Sequence, residues 1–434
     1  MVDARPADSP ASAPITVERL RGWKQLERAA QLLAHVHDSG CQRDKAGNRE
    51  LHLDDYVLLI LLFLFNPMID SMRQLQRVAD LETVQQKLGI RRFSLGIFSE
   101  SCRVFDPQML QGVIEQLAGG LHPVGRQEMF KDLPHIIQLV DGTVLRTLCS
   151  VSQAMWLPAA GKSDAPTHAY KLHLNFEVDR HVPTHWRLTD ARNSGPSDER
   201  NVLRGSLKPN HTYVMDRGYA QFALFNDIHA AASSYVCRVR DNTRLREVIQ
   251  ERRLTEKDKQ AGVLSDQIVR LGRAGADSGE CDHPLRLVCV KTTPHKKRGK
   301  VGHRRSGTTG PASDGVLRIA TDLLDPPAQV IAFLFQYRWT LEVFIRFFKQ
   351  TLGCRHLLST KPQGIEIQVY AAVICCMLLN TLTGKKPTKW MVTLMSLYLA
   401  GWASEADVLR ELNKKDNTGI KLRAKDELWK KLGV

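Results

Sequence analysis

The stretch HIIQLVDGTVLRTL, residues 135–148, is where the hydrophobic period of the chain changes. Apolar residues run together from Ile136 and stop on an acid, Asp141, with Gly142 beside it. This predicts a strand closing on Asp141, a turn containing the glycine, and a second extended segment, TVLRTL. Towards the C-terminus, KLHLNFEVD (171–179) and HVPTHWRLTD (181–190) alternate, which predicts a hairpin around Asp179–His181. NSGPSDERNVLRGSL (193–207) reads as a helix capped by Ser197 or Asp198. HTYVMDRGY (211–219) is another apolar strand ending on an acid, Asp216, with Gly218 following. The helix AQFALFNDIHAAA (220–232) and the strands SYVCRVR (234–240) and VLRIATDL (316–323) complete a mixed α/β pattern.

Outward from this region the chain reads as helical. Residues 17–118 contain LERAAQLLAHV, LDDYVLLILLFLF and SMRQLQRVADLETVQQKL, the last with a helical rhythm from Leu75 to Leu88 after a break at Asn66-Pro67. This N-terminal region either binds DNA or packs. Residues 1–16, rich in Pro, Ala and Ser, predict a disordered leader without the pattern of a signal peptide. Residues 241–312 form a β-rich insertion, with strands around VLSDQIVRL and LRLVCVK and a basic run, HKKRGKVGHRRSGTTGPASDG. That run is either a solvated tip or a phosphate-contacting loop. The core therefore falls in 130–240 and 313–358, and 359–434 is helical again.

Across 434 residues, 61 Lys and Arg against 46 Asp and Glu leave a net charge of +15. Such a balance favours a polyanionic partner, nucleic acid first. The most apolar runs, Tyr56–Phe65 and Val369–Leu379, are shorter than the ~20 residues of a membrane span. The nine cysteines are scattered without a CxxC pair, as expected of reduced thiols in a cytoplasm. Cys281-Asp282-His283 alone makes a poor zinc site.

FQYRWTLEVFIRFFKQ (335–350) predicts an amphipathic helix. With Arg338 at zero, Lys349 falls near about 20° and Glu342 near about 40°, while Leu341, Phe344, Ile345, Phe348 and Leu352 fill a separate arc. A solvated face with an intrahelical ion pair would explain one such column, but Arg N-terminal to Glu is the weaker order. Two strand-end acids and a helix acid bordered by bases form a rarer combination. Clustered carboxylates repel one another, and divalent cations relieve the repulsion.

QLVDGT, YVMDRGY and YRWTLEVFIRFFKQ resemble the three catalytic blocks of DDE transposases of bacterial insertion sequences. Arg338-x3-Glu342-x6-Lys349 is similar to the signature of the Insertion Sequence 4 family, and the similarity covers roughly residues 50–385. The resemblance implies a ribonuclease-H-like catalytic core with an inserted β-rich domain, flanked by helical regions. It implies Asp141, Asp216 and Glu342 as catalytic ligands of two Mg²⁺ (or Mn²⁺) ions. Arg338 and Lys349 would contact DNA phosphates. The implied partner is double-stranded DNA, at terminal inverted repeats and in the target, bound by a homodimer.

The chain departs from the family pattern twice. The tyrosine expected three residues before Arg338 is Phe335, and residues 241–332 hold no Phe, Tyr or Trp on which a flipped base could stack. Trp339 and Trp156 are the aromatic candidates elsewhere. Competing readings are a nuclease of the same fold without strand transfer and a DNA-binding derivative without catalysis. A carboxylate-pair glycosidase is disfavoured by the basic charge.

Overall fold

The computed structural model describes residues 24–45, 47, 49–66, 68–121, 130–133, 135–146, 155–157, 167–241, 243–272, 280–292, 315–351, 357–359 and 361–413. The expected leader and nearly all of the basic run 295–315 lie outside them. The chain divides into two compact units, Met1–Val124 with Phe347–Asp416, and Gly125–Arg346 with Asn417–Val434.

The first unit is helical. Leu53–Phe65 is apolar all round and buried, with Asp54 and Asp55 in its first turn, where carboxylates suit the helix dipole. It stops at Phe65, and Asn66 is extended, as a following proline favours. Segment 71–88 is two helices rather than the single one predicted, Met72–Ala79 and Glu82–Leu88. Leu81 at the join is extended and 56% exposed, so the apparent rhythm does not belong to one face. Pro362–Thr383 packs against Leu53–Phe65. Its 22 residues exceed the apolar run read from the sequence, and it is the one described helix long and apolar enough to cross a membrane. Within the protein, 89% of its apolar window is buried.

The second unit is built on one mixed sheet. Its strands are Ile136–Arg146 (β1), Met155–Leu157 (β2), Thr167–Glu177 (β3), Val182–Asp190 (β4), His211–Met215 (β5), Ser234–Arg238 (β6), Leu245–Glu251 (β7), Val263–Leu271 (β8), Leu285–Lys291 (β9) and Val316–Thr321 (β10). Their order is β2-β3-β1-β5-β6-β10-β9-β8-β7, with β4 added on β3. Among the described strands, only β1–β5 and β5–β6 are parallel. β7, β8 and β9 continue the same sheet past β10. β7 is its outermost strand, exposed along its length and twice out of register with β8.

β1 does not close at Asp141. β3 pairs with it throughout, Asp141 opposite Leu174 and Gly142 opposite His173, as far as Arg146 opposite Ala169. Asp-Gly is a turn signal only when no partner strand is available, and here eleven-residue β3 supplies one. The predicted helix cap is present, with the Asp198 carboxylate accepting from the Arg200 N–H ahead of Glu199–Arg204.

One sheet face carries Val140, Tyr213, Met215, Tyr235 and Cys237, covered by Leu224, Phe225 and Ile228 of the helix Phe222–Ala230. Leu139 and Phe176, cross-strand partners, point to the other face, where the Phe344 ring packs 4.8 Å from that of Phe176. Stretch 335–350 is broken at Arg338 into the helices Ala328–Tyr337 and Trp339–Thr351. Arg338 keeps helical angles, but its turn is tightened, with the Arg338 N–H donating to the Phe335 carbonyl at 3.2 Å and Leu341 N–H to the Arg338 carbonyl at 3.0 Å. Leu341, Phe344, Ile345 and Phe348 are buried as the apolar arc predicts, and Leu352 lies outside the described residues. Buried Arg286 of β9 clamps Asp266 of β8 with two 2.8 Å bonds and donates to the Leu323 and Pro326 carbonyls. The segment leading into Ala328–Tyr337 is thereby tied to the sheet.

Candidate active site

The parallel pairing of β1 with β5 ends at Val140 opposite Met215. Asp141 and Asp216 are the next residue on each chain, so they stand side by side on strands about 4.8 Å apart. Val140 and Met215 point into the helix-covered core. Alternation turns Asp141 and Asp216 to the opposite face, the one on which Phe344 anchors the Trp339–Thr351 helix. Glu342, in the first turn of that helix, is brought to the same place.

Arg338 occupies the space between two of these acids. Its guanidinium lies 3.3 Å from Asp141 Oδ2 and 2.7 Å from Glu342 Oε1. The intrahelical pair with Glu342, disfavoured by residue order, is therefore formed. Order is worth only a few tenths of a kcal/mol, roughly, on an exposed helix, whereas Arg338 is 15% exposed and has a second carboxylate to bind. Its guanidinium also lies over the Phe335 ring, 5.9 Å from the centroid. Phe335 thus supports Arg338 at the position where the family pattern has a tyrosine. Tyr337 points elsewhere, edge-on to Phe130 at 5.6 Å.

Burial pushes the Asp141 carboxyl up to about 6; Arg338 and the Gly142 N–H draw it down, while Asp216 and Glu342 push it further up. Asp216 and Glu342 are therefore both close enough to Asp141 to act on it through space. As a set, their oxygens do not converge to within 4.8 Å, as other groups in the described residues do. With a cationic side chain standing between two of them and only carboxylate oxygens on offer, the donor set suits a hard divalent ion such as Mg²⁺ or Mn²⁺. Lys349 is half-buried two turns beyond Glu342 on the same helix, past the point where the first unit resumes at Phe347. Trp339 is 54% exposed beside Arg338. Trp156 lies in β2, and its side chain is outside the described part.

A feature missed in the sequence lies behind the two strand acids. Lys171 of β3 and Glu199 form an ion pair of 2.5 Å, only 13% and 16% exposed, and Lys171 also donates to Asn193 Oδ1 at 2.8 Å. A Cβ at Gly142 would lie 2.6 Å from Lys171 Cε, and one at Gly218 would lie 2.5 Å from Glu199 Oε1. The glycines after Asp141 and Asp216 thus make room for one ion pair. A lone Lys in an apolar alternation and an acid opening a capped helix were the available signals, and only the topology joins them.

Residues 132–379 match the model of the family described as "Transposase DDE domain". The Sinorhizobium fredii protein "Putative transposase y4zB" is 27% identical over 247 residues, which span 56% of this chain and 60% of that protein. The Geobacillus stearothermophilus protein "Probable transposase for insertion sequence element IS5377" is 23% identical over 295 residues, 68% of each chain. Among solved structures, a piggyBac transposase in a synaptic complex with hairpin DNA aligns over 96% of this chain and 87% of its own, at 11% identity and a TM-score of 0.41. With more than half of its length matched by that one family model, the chain belongs to the DDE-domain transposases.

Proposed function

We propose that this protein is a transposase of the Insertion Sequence 4 kind, with a ribonuclease-H-like catalytic core that cleaves insertion-sequence ends and transfers the cut strand into target DNA. The observation that carries the reading is the register of β1 and β5, which sets Asp141 beside Asp216 on the face crossed by the helix of Glu342. Those three carboxylates would hold two Mg²⁺ or Mn²⁺ ions. When bound, the ions supply Lewis acidity to the attacking and leaving oxygens of the phosphodiester. Arg338 neutralises Asp141 and Glu342 until that charge is met otherwise, after which its guanidinium is free for a DNA phosphate. Lys349 holds a second phosphate further along the helix. The net charge of +15 draws duplex DNA, terminal repeats and target alike, and a homodimer would pair two ends.

The test is end cleavage with Mg²⁺ and gel-shift affinity measured in parallel on Asp141→Ala, Asp216→Ala and Glu342→Ala. Each variant is expected to lose cleavage and keep DNA binding. Wild-type cleavage by any one removes that residue from the set. Transfer of a labelled end into plasmid separates a transposase from a nuclease, and binding by the wild type without cleavage selects the silent DNA-binding reading.

A further inference from the structure

We propose that His229, His283 and Asp322 form a zinc site that fastens the turn entering β9 to the catalytic sheet. His229 lies in the last turn of the helix Phe222–Ala230, His283 in the turn before β9, and Asp322 directly after β10. One ligand atom from each falls within 4.8 Å of the others. His229 Nδ1 is 3.2 Å from Asp322 Oδ2, and the two imidazole rings stack at 4.1 Å. Two imidazoles and a carboxylate are a donor set suited to Zn²⁺.

The second observation is an orphaned nitrogen. His283 is 9% exposed, its Nε2 is 3.0 Å from the hydroxyl of buried Tyr235, and its Nδ1 has no hydrogen-bond partner. In the tautomer that the proposal requires, His283 Nε2–H donates to the tyrosine oxygen and Nδ1 carries the lone pair for the ion. A ligating histidine is commonly held this way, with its other ring nitrogen donating to a fixed acceptor.

The surroundings are fixed before any ion arrives. Asn226 ties residues 280–282 to its helix, its amide donating to the Glu280 carbonyl at 2.9 Å and its Oδ1 accepting from the Asp282 N–H at 3.0 Å. Asp322 is 4% exposed, and its Oδ1 accepts from the Tyr235 N–H at 3.0 Å. His229, 54% exposed, is the ligand able to turn and complete the set. The other described groupings centre on His37.

The full-length protein, stripped with a chelator, would be titrated with Zn²⁺ in excess Mg²⁺ and its bound zinc measured by mass spectrometry. The expected result is a tightly bound equivalent per chain that raises the thermal midpoint, is lost in His229→Ala and in His283→Ala, and is kept in Asp141→Ala. Tyr235→Phe should weaken Zn²⁺ binding roughly 10–100-fold, as the loss of an outer partner of a ligating histidine does. Should His283→Ala fail to fold, the exposed position 229 still decides. Failure of the wild type to bind zinc, retention of every equivalent by His229→Ala, or loss of the equivalent in Asp141→Ala would each overturn the site.

Discussion

Arg338 and Asp141, 197 residues apart in the chain, are joined by an ion pair of 3.3 Å. Three carboxylates and one guanidinium then share a partly buried corner. Removing the guanidinium leaves the acids facing one another. Arg338→Ala is expected to cost the metal-free protein about 1–3 kcal/mol, below the usual figure for a fully buried pair because both acids retain solvent. Mn²⁺ should restore the thermal midpoint of this variant more than it raises that of the wild type. Melting curves with and without Mn²⁺ read both effects, and an unchanged midpoint in the metal-free variant would show that Arg338 does not offset the acids.

Asp141 gives a pH dependence whose sign is fixed by its raised pKa. The carboxyl is shifted from 3.8 up to about 6, so folding favours its neutral form. That contribution is complete below pH 3.8 and is lost as pH rises through 6. At neutral pH and above, Asp141→Asn should therefore stabilise the metal-free protein, by on the order of 1–2 kcal/mol after allowing for solvent screening. The gap between variant and wild type should close as pH falls through 6 towards 4. Parallel curves across that range would contradict the assignment.

Lys349→Ala is expected to weaken binding of a transposon-end duplex and to reduce the slope of log affinity against log salt by about one phosphate's worth. Gel shifts over a salt series measure the slope. A lowered thermal midpoint with an unchanged slope would make the side chain a packing support.

The absence of aromatic residues from 241 to 332 leaves Trp339 and Trp156 as candidate platforms for a flipped base. The cleaved donor end should be released without a stable hairpin, or with one that disappears on Trp339→Ala or Trp156→Ala. A 5′-labelled end resolved on a denaturing gel shows the products. A hairpin that survives both substitutions shows that stacking is provided elsewhere.

Local chemistry announces itself in this sequence, and tertiary pairing does not. Two apolar runs that stop on acids, and a helix with one acid between bases, pointed to the corner that the β1–β5 register assembles. The Asp141-Gly142 turn failed as a reading because β3 supplies a ladder partner far along the chain. Arg338 looked free because residue order weakens its pair with Glu342, while the acid that recruits it stands on a strand far earlier in the chain. His283 meets His229 and Asp322 only through the fold, since the two come from either side of it in sequence. Each miss is a contact whose two halves carry no local trace of one another.

A sheet that ends on an outward strand offers its free N–H and C=O groups to any passing chain, and β7, with Leu245, Val248 and Ile249 exposed, would be a template for such growth. Its two register shifts against β8 disturb the even spacing an incoming strand would have to match. Arg246, Glu247 and Glu251 set charges of both signs among the apolar residues. Straightening the strand by deleting one residue at a shift, or replacing those charges with valine, should promote edge-to-edge association between chains.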